Sequence, residues 1–135
     1  MIELDTSIPK MSASSAVSPT VREVGSILHL AFFAAGDDTS VVLRFSDVRG
    51  WHYGYPNDEG LDSHPLYGHG LEPYEFHVTP VAHHGERAWI GTFHDGTLTV
   101  FATSADVTTS SYPGDPSSAI DSIAGDGLNR ELDNE

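Results

Sequence analysis

Seven of the eight histidines fall between His52 and His94. Histidine is the unshifted side chain whose charge changes near neutral pH, and its neutral ring is the commonest metal ligand. Within the same stretch Glu75 and His77 stand two apart in an alternating segment. On a strand both project from one face, a placement that can aim a carboxylate and an imidazole into a cavity for proton transfer. On an edge strand the same Glu-His-Thr face is simply solvated. His64 and His69 are five apart in a loop containing Gly and Pro, and spacing alone does not bring them to one ion. His94 adjoins a tight turn, where it either caps the turn or joins a site, and His83-His84-Gly85 reads as a turn. Apolar rings beside a few convergent ionisable groups are what a small-molecule site consists of. The candidate catalytic residues are therefore His64, Glu75, His77 and His94. The candidate substrate-binding residues are Trp51, Tyr53, Tyr55, Asn57, Asp58, Tyr67, Tyr74 and Asp95.

Missing signatures narrow the chemistry. The chain has no cysteine, which excludes disulfides, thiolate zinc sites, iron–sulfur clusters and a cysteine nucleophile. No pair of histidines brackets a glutamate in the manner of a zinc protease helix, so no metal ligand set is assigned. The segment PNDEG at 56–60 lacks the alternating oxygen ligands and twelfth-position glutamate of an EF-hand loop. It reads as a turn in which Asn57 and Asp58 bond their own backbone. Neither a G-x-S-x-G elbow nor a dinucleotide or P-loop glycine fingerprint occurs. Hydride transfer and ATP chemistry are disfavoured, and no cofactor is expected. A lyase, cyclase or isomerase that needs proton transfers alone fits this inventory.

Six Lys and Arg stand against twenty Asp and Glu, a formal charge of −14. Such a chain repels phosphate backbones, so nucleic acid is not an expected partner. The charge serves solubility or, as the alternative to a small-molecule ligand, it meets a basic protein partner; the chain is then a non-catalytic binding module of immunity or regulatory type. The third reading gives the histidines a structural or catalytic metal. No run of about 18 apolar residues is present, so no membrane span is expected. The N-terminus lacks a basic start and an apolar h-region, which leaves a cytoplasmic location as the default expectation.

The elements that must position these residues are strands. In 26–35 Leu28, Leu30 and Phe32 share one face, and in 41–48 Val41, Leu43 and Phe45 do. With GDDTS between them as a turn, the two should form an antiparallel hairpin. RAWIGTFH and TLTVFAT flank Asp95-Gly96, the signature of a two-residue type I′ hairpin, in which Phe93 opposes Leu98 and His94 opposes Thr97. Trp89, Phe93, Leu98 and Val100 then share the core side, while Ile90, Thr92, His94, Thr97 and Thr99 share a half-polar side. A fifth strand over 74–81 places Tyr74, Phe76 and Val78 opposite Glu75, His77 and Thr79, and Pro80 suggests an edge. Residues 49–73 form a long connection expected to be ordered by its aromatics.

The predicted fold is a mainly β domain over 21–105, a small antiparallel sheet or barrel-like arrangement of about five strands, with a homodimeric sandwich as one further arrangement. Residues 1–20, rich in Ser, Ala and Thr, read as a flexible arm, and 106–135 read as a flexible acidic tail with at most a turn or two of helix. The predicted site is a pocket between the 51–77 loop and the half-polar face of the last hairpin.

The segments GYPNDEGLDSHPLYGHGLEPY (54–74) and FHDGTL (93–98) resemble a small uncharacterised bacterial protein family with Pro-Asn-Asp-Glu, His-Pro-Leu-Tyr and Phe-His-Asp blocks. The resemblance points to Pro56, Asn57, Asp58, Glu59, His64, Pro65, Gly70, Leu71, Tyr74, Phe93, His94 and Asp95 as site residues. It implies a location for a site without naming a reaction. The family has a longer connection between its blocks and an acid near the position of Thr99, so that acid's role does not carry over.

Overall fold

The computed structural model describes residues 2–12, 19–34, 39–80, 85–113 and 115–121. Among the described residues nine strands make two antiparallel sheets. They are β1 (Glu3–Leu4), β2 (Thr20–Val24), β3 (Ile27–Phe33), β4 (Thr39–Ser46), β5 (Gly50–Gly54), β6 (Phe76–Val78), β7 (Arg87–Thr92), β8 (Thr97–Ala102) and β9 (Ser104–Pro113). One sheet has the order β1-β6-β7-β8-β5 and the other β2-β3-β4-β9. The fold is mainly β, as predicted, but it is an open two-sheet arrangement formed within one chain, with more strands than the expected five.

The β3–β4 pairing follows the hydrophobic alternation: Leu28 opposes Phe45, Leu30 opposes Leu43 and Phe32 opposes Val41. These six side chains face Phe76, Val78, Trp89, Leu98 and Val100 of the other sheet. Edge-to-face ring contacts cross the interface, Phe45 to Trp89 at 5.8 Å and Phe32 to Phe93 at 5.6 Å between centroids, a geometry that aromatic quadrupoles favour. The residues 35–38 that connect β3 to β4 lie outside the described residues, as do His83 and His84.

The last hairpin differs from its predicted form. Thr92 opposes Thr97 and Gly91 opposes Leu98, a register two residues away from the expected one, and Phe93–Gly96 form a four-residue connection. The side-chain period on a strand is two, so this shift leaves every strand residue on its predicted face. Neither Asp95 nor Gly96 has the positive φ of a type I′ turn. Gly96 is needed for a different reason: a Cβ there would lie 2.8 Å from the Gly54 carbonyl oxygen. The longer connection lets the Phe93 ring turn into the core.

The described residues of the segments read as tails carry structure, while 13–18 and 122–135 lie outside the described residues. Ile8 and Met11 belong to the central core, and β1 pairs with β6, Glu3 opposite Val78 and Leu4 opposite His77. β6 is therefore an inner strand, and β1 is the edge. β9 pairs along β4 from Ser46↔Ser104 to Thr39↔Pro113. A short helix over 116–121 packs Ala119 and Ile120 on Ala31 and Val42, covering apolar positions on the outer face of the four-stranded sheet that would otherwise meet water. Among the described residues no helix is long and apolar enough to cross a membrane.

The long connection is shorter than predicted because residues 50–54 form the edge strand β5. Between β5 and β6 the chain makes two 3-10 turns, Leu61–Ser63 and Tyr67–His69. This loop lies over the half-polar face of the five-stranded sheet. Its order comes less from aromatic rings than from Leu61 and Leu71, which pack with Ile2 and Ile90 in a second small core.

Candidate functional site

The half-polar face is occupied by the loop that covers it. The Thr97 hydroxyl donates to the Pro56 carbonyl at 2.7 Å. Thr92 Oγ1 accepts the Glu75 N–H at 3.1 Å and lies 2.6 Å from the Glu72 carbonyl, to which it donates. Two of the predicted catalytic histidines also hold this loop. His64 Nδ1 accepts the Leu66 N–H at 3.0 Å, and His77 Nε2 accepts the Glu72 N–H at 3.2 Å. A ring nitrogen that accepts is unprotonated, so both bonds require neutral imidazole. Burial pushes both rings below the ordinary imidazole value, for His77 against the opposing charges of Glu75 and Glu72.

Glu75 and His77 are buried, so the solvated-face reading of this strand is overturned. Where a pocket was expected between the loop and the hairpin, threonine and histidine hydrogen bonds fasten the loop to the sheet. The predicted ring residues scatter. Tyr53 packs edge-on against Phe93 at 6.2 Å in the core, whereas Trp51, Tyr55 and Tyr67 are exposed. Asn57 forms the expected turn, its Oδ1 accepting the Gly60 N–H at 2.9 Å.

Three predicted residues do come together. Asp58 Oδ2 accepts the Tyr74 hydroxyl at 2.5 Å and lies 2.7 Å from His94 Nδ1, while its Oδ1 accepts the Glu59 N–H at 2.8 Å. The Asp58 N–H in turn donates to the His94 carbonyl at 3.2 Å, which locks the loop to the hairpin connection. The Tyr74 hydroxyl bond, followed by those from His94 and the Glu59 N–H, holds the Asp58 carboxyl below the ordinary carboxylate range against the opposing effect of burial. The carboxylate raises the pKa of the Tyr74 phenol, first through their hydrogen bond. It raises that of His94 in the same way, helped by the charges of Asp95 and Glu59. An ionised carboxylate can only accept, so the proton between them sits on His94 Nδ1. Nε2 is left to exchange protons, on a side chain 46% exposed with Asp95 Oδ1 3.9 Å away.

Tyr74 takes a φ of +64°, a strained conformation for a bulky side chain, of the kind that concentrates at functional sites. Its N–H donates to the Thr92 carbonyl at 2.7 Å and its carbonyl accepts the Met11 N–H at 3.0 Å, which fixes the turn that aims the phenol at Asp58. Sequence reasoning placed Asp58 and Tyr74 as ligand contacts; the structure makes them the partners that orient His94. It also missed Thr92 and Thr97 as loop anchors, although both lie on the face read as half polar.

The segments 56–59 and 93–95 meet at the Asp58–His94 contact. Among the described residues no three His, Cys, Asp or Glu side chains gather as metal ligands would. Compared with known proteins, the chain matches no family model, no curated protein and no solved structure.

Proposed function

We propose that this chain binds a small molecule and performs acid/base chemistry on it at His94, without a cofactor, in the manner of a small lyase, cyclase or isomerase. The observation that supports this reading is the shared carboxylate: Asp58 Oδ2 engages both Tyr74 and His94 Nδ1. An imidazole whose Nδ1–H is held by a carboxylate has one tautomer and one orientation, and its Nε2 serves as base and then as acid. The Asp58 carboxylate shifts that ring toward its protonated form.

The test is deuterium exchange into a panel of small carbonyl compounds and hydroxy acids in D2O, followed by NMR. At least one compound should exchange its C–H next to the carbonyl in the presence of the protein. His94→Gln should lower that rate about 10²-fold or more, the usual contribution of a positioned acid/base group. Exchange at the buffer rate with every compound, or exchange that survives His94→Gln, overturns the proposal.

The reading as a non-catalytic binding module has its own support in the charge of −14. Lys10, Arg22 and Arg49 are each already paired with an acid, so the acidic excess is left for a basic partner. Association with a cationic protein should then weaken steeply as ionic strength rises to about 0.15 M. Failure to retain any partner at low salt counts against it.

A further inference from the structure

The N-terminal segment and the residues that lead into β6 enclose a pocket of about 230 Å³, lined by Leu4, Ile8, Pro9 and Phe76 on its apolar side and by Lys10 and Glu75 on its polar side. The Glu75 side chain is only 9% exposed, and a buried carboxylate is costly unless it is paired and hydrogen-bonded. Its backbone is fixed on both sides, the N–H to Thr92 Oγ1 and the carbonyl to the Thr92 N–H at 3.2 Å. Oε1 lies 3.0 Å from Lys10 Nζ, and Oε2 has no hydrogen-bond partner among the described residues.

The two members of this ion pair are unequal. Lys10 is 71% exposed on a flexible stem, so its ammonium can leave for water with little loss. The carboxylate cannot leave. Asp5, the second acid of the lining, is committed to the Trp89 indole N–H at 3.1 Å and to the Ser7 N–H. Two acids against one lysine, beside an apolar wall, favour a ligand with a positive head and a hydrocarbon body.

We propose that this pocket binds small alkylammonium compounds, whose ammonium replaces that of Lys10 at Glu75 and whose chain lies against Leu4, Ile8, Pro9 and Phe76. An ammonium carries three donors and can serve both carboxylate oxygens, whereas an alcohol carries one and a carboxylate none. Lys10 is then a built-in competitor for the site. The proposal stands without the acid/base reading of His94, which uses other side chains.

The experiment titrates the full chain with n-butylammonium chloride, following the methyl signals of Leu4 and Ile8 by NMR, with Ile120 on the far sheet as internal control. n-Butanol and sodium butyrate at matched ionic strength are the comparison ligands. The expected result is a saturable shift of Leu4 and Ile8 with butylammonium, no such shift with butyrate, and a weaker response to butanol. Lys10→Ala should tighten butylammonium about two- to fivefold, the equivalent of removing one exposed ion pair, and Glu75→Gln should abolish the response. Equal shifts with butyrate, no shift at all, or a Lys10→Ala variant that binds no better than the native chain overturns the proposal. Lys10→Ala decides the matter even if Glu75→Gln does not fold.

Discussion

Replacing Thr92 by valine keeps the shape of the side chain and removes one oxygen. That oxygen accepts the Glu75 N–H and donates to the Glu72 carbonyl, with the Glu75 carbonyl at 3.0 Å as the longer alternative. Valine leaves the Glu75 N–H and the Glu72 carbonyl without these bonds under the loop. Each buried group stripped of its partner costs about 1–3 kcal/mol. The Glu75 N–H is buried, whereas the Glu72 carbonyl belongs to an exposed residue that water can reach, so the loss is roughly 1–4 kcal/mol, against a total stability of about 5–15 kcal/mol for a typical domain. In a chain of this length 1 kcal/mol moves the melting midpoint by about 3–5 °C, so Thr92→Val should melt at least about 3 °C lower. Thr99→Val, on the same face and half-buried, is the control and should change stability by less than about 1 kcal/mol. Residues 72–75 carry Tyr74, so the same variant should also loosen the Tyr74–Asp58 bond and move the His94 ring titration toward its ordinary value. A Thr92→Val variant no less stable than Thr99→Val would refute the idea that this hydroxyl fastens the loop.

Particular contacts give three further expected outcomes. A Cβ on Gly91 would lie 2.6 Å from Phe76 Cζ and 3.1 Å from Phe93 Cε2, so Gly91→Ala should cost about 1–3 kcal/mol by overpacking; urea denaturation at native stability would contradict this. Asp5→Ala removes the acceptor of the Trp89 indole N–H and should cost about 1–2 kcal/mol with a shift in Trp89 emission, whereas unchanged fluorescence and stability would show that the bond contributes nothing. His29, His64 and His77 are held below the ordinary imidazole value by burial first, and for His29 by the Arg44 and Arg22 charges as well. The unfolded chain therefore binds more protons than the folded one, and stability should fall as pH drops from about 6.5 toward their folded values. His94 acts in the opposite sense, its contribution complete below about 6.5 and lost as pH rises through its raised folded value. With three groups against one, the acid-side loss should dominate, and His77→Gln should flatten it in urea titrations at successive pH values; a stability independent of pH between about 7 and 5.5 contradicts this balance.

The strands legible in the sequence are those with one buried face. In β3, β4, β7 and β8 alternation alone assigned the core side, and it survived a register shift of two because faces repeat with that period. β1, β2, β5 and β9 were not read as strands, and β5, β9 and β1 escaped for three different reasons. Gly50 and Gly54 bracket β5 and read as loop. β9 runs from Ser104 to Pro113 through Ser, Thr and Pro, and its Val-Thr-Thr content was outweighed by a composition typical of tails. β1 is two residues long and owes its existence to the exposed edge of β6, a tertiary demand that no local pattern records. The histidine cluster was visible, but its division of labour was not. Whether a ring accepts an N–H two or five residues away, as in His64 and His77, or donates to a distant carboxylate, as in His94, depends on how the loop folds over the sheet. Asp58 and His94 are 36 positions apart. The strain at Tyr74 had no sequence signal, because the usual residues for a positive φ are Gly, Asn and Asp.

The central requirement is that Asp58 controls the protonation of His94. An NMR titration of the histidine ring signals in the native chain and in Asp58→Asn tests it directly. His94 should titrate above the ordinary imidazole value in the native chain and return toward it in the variant, while His64 and His77 stay below that value in both. A His94 that titrates at its ordinary value and does not move when Asp58 is changed would contradict the account.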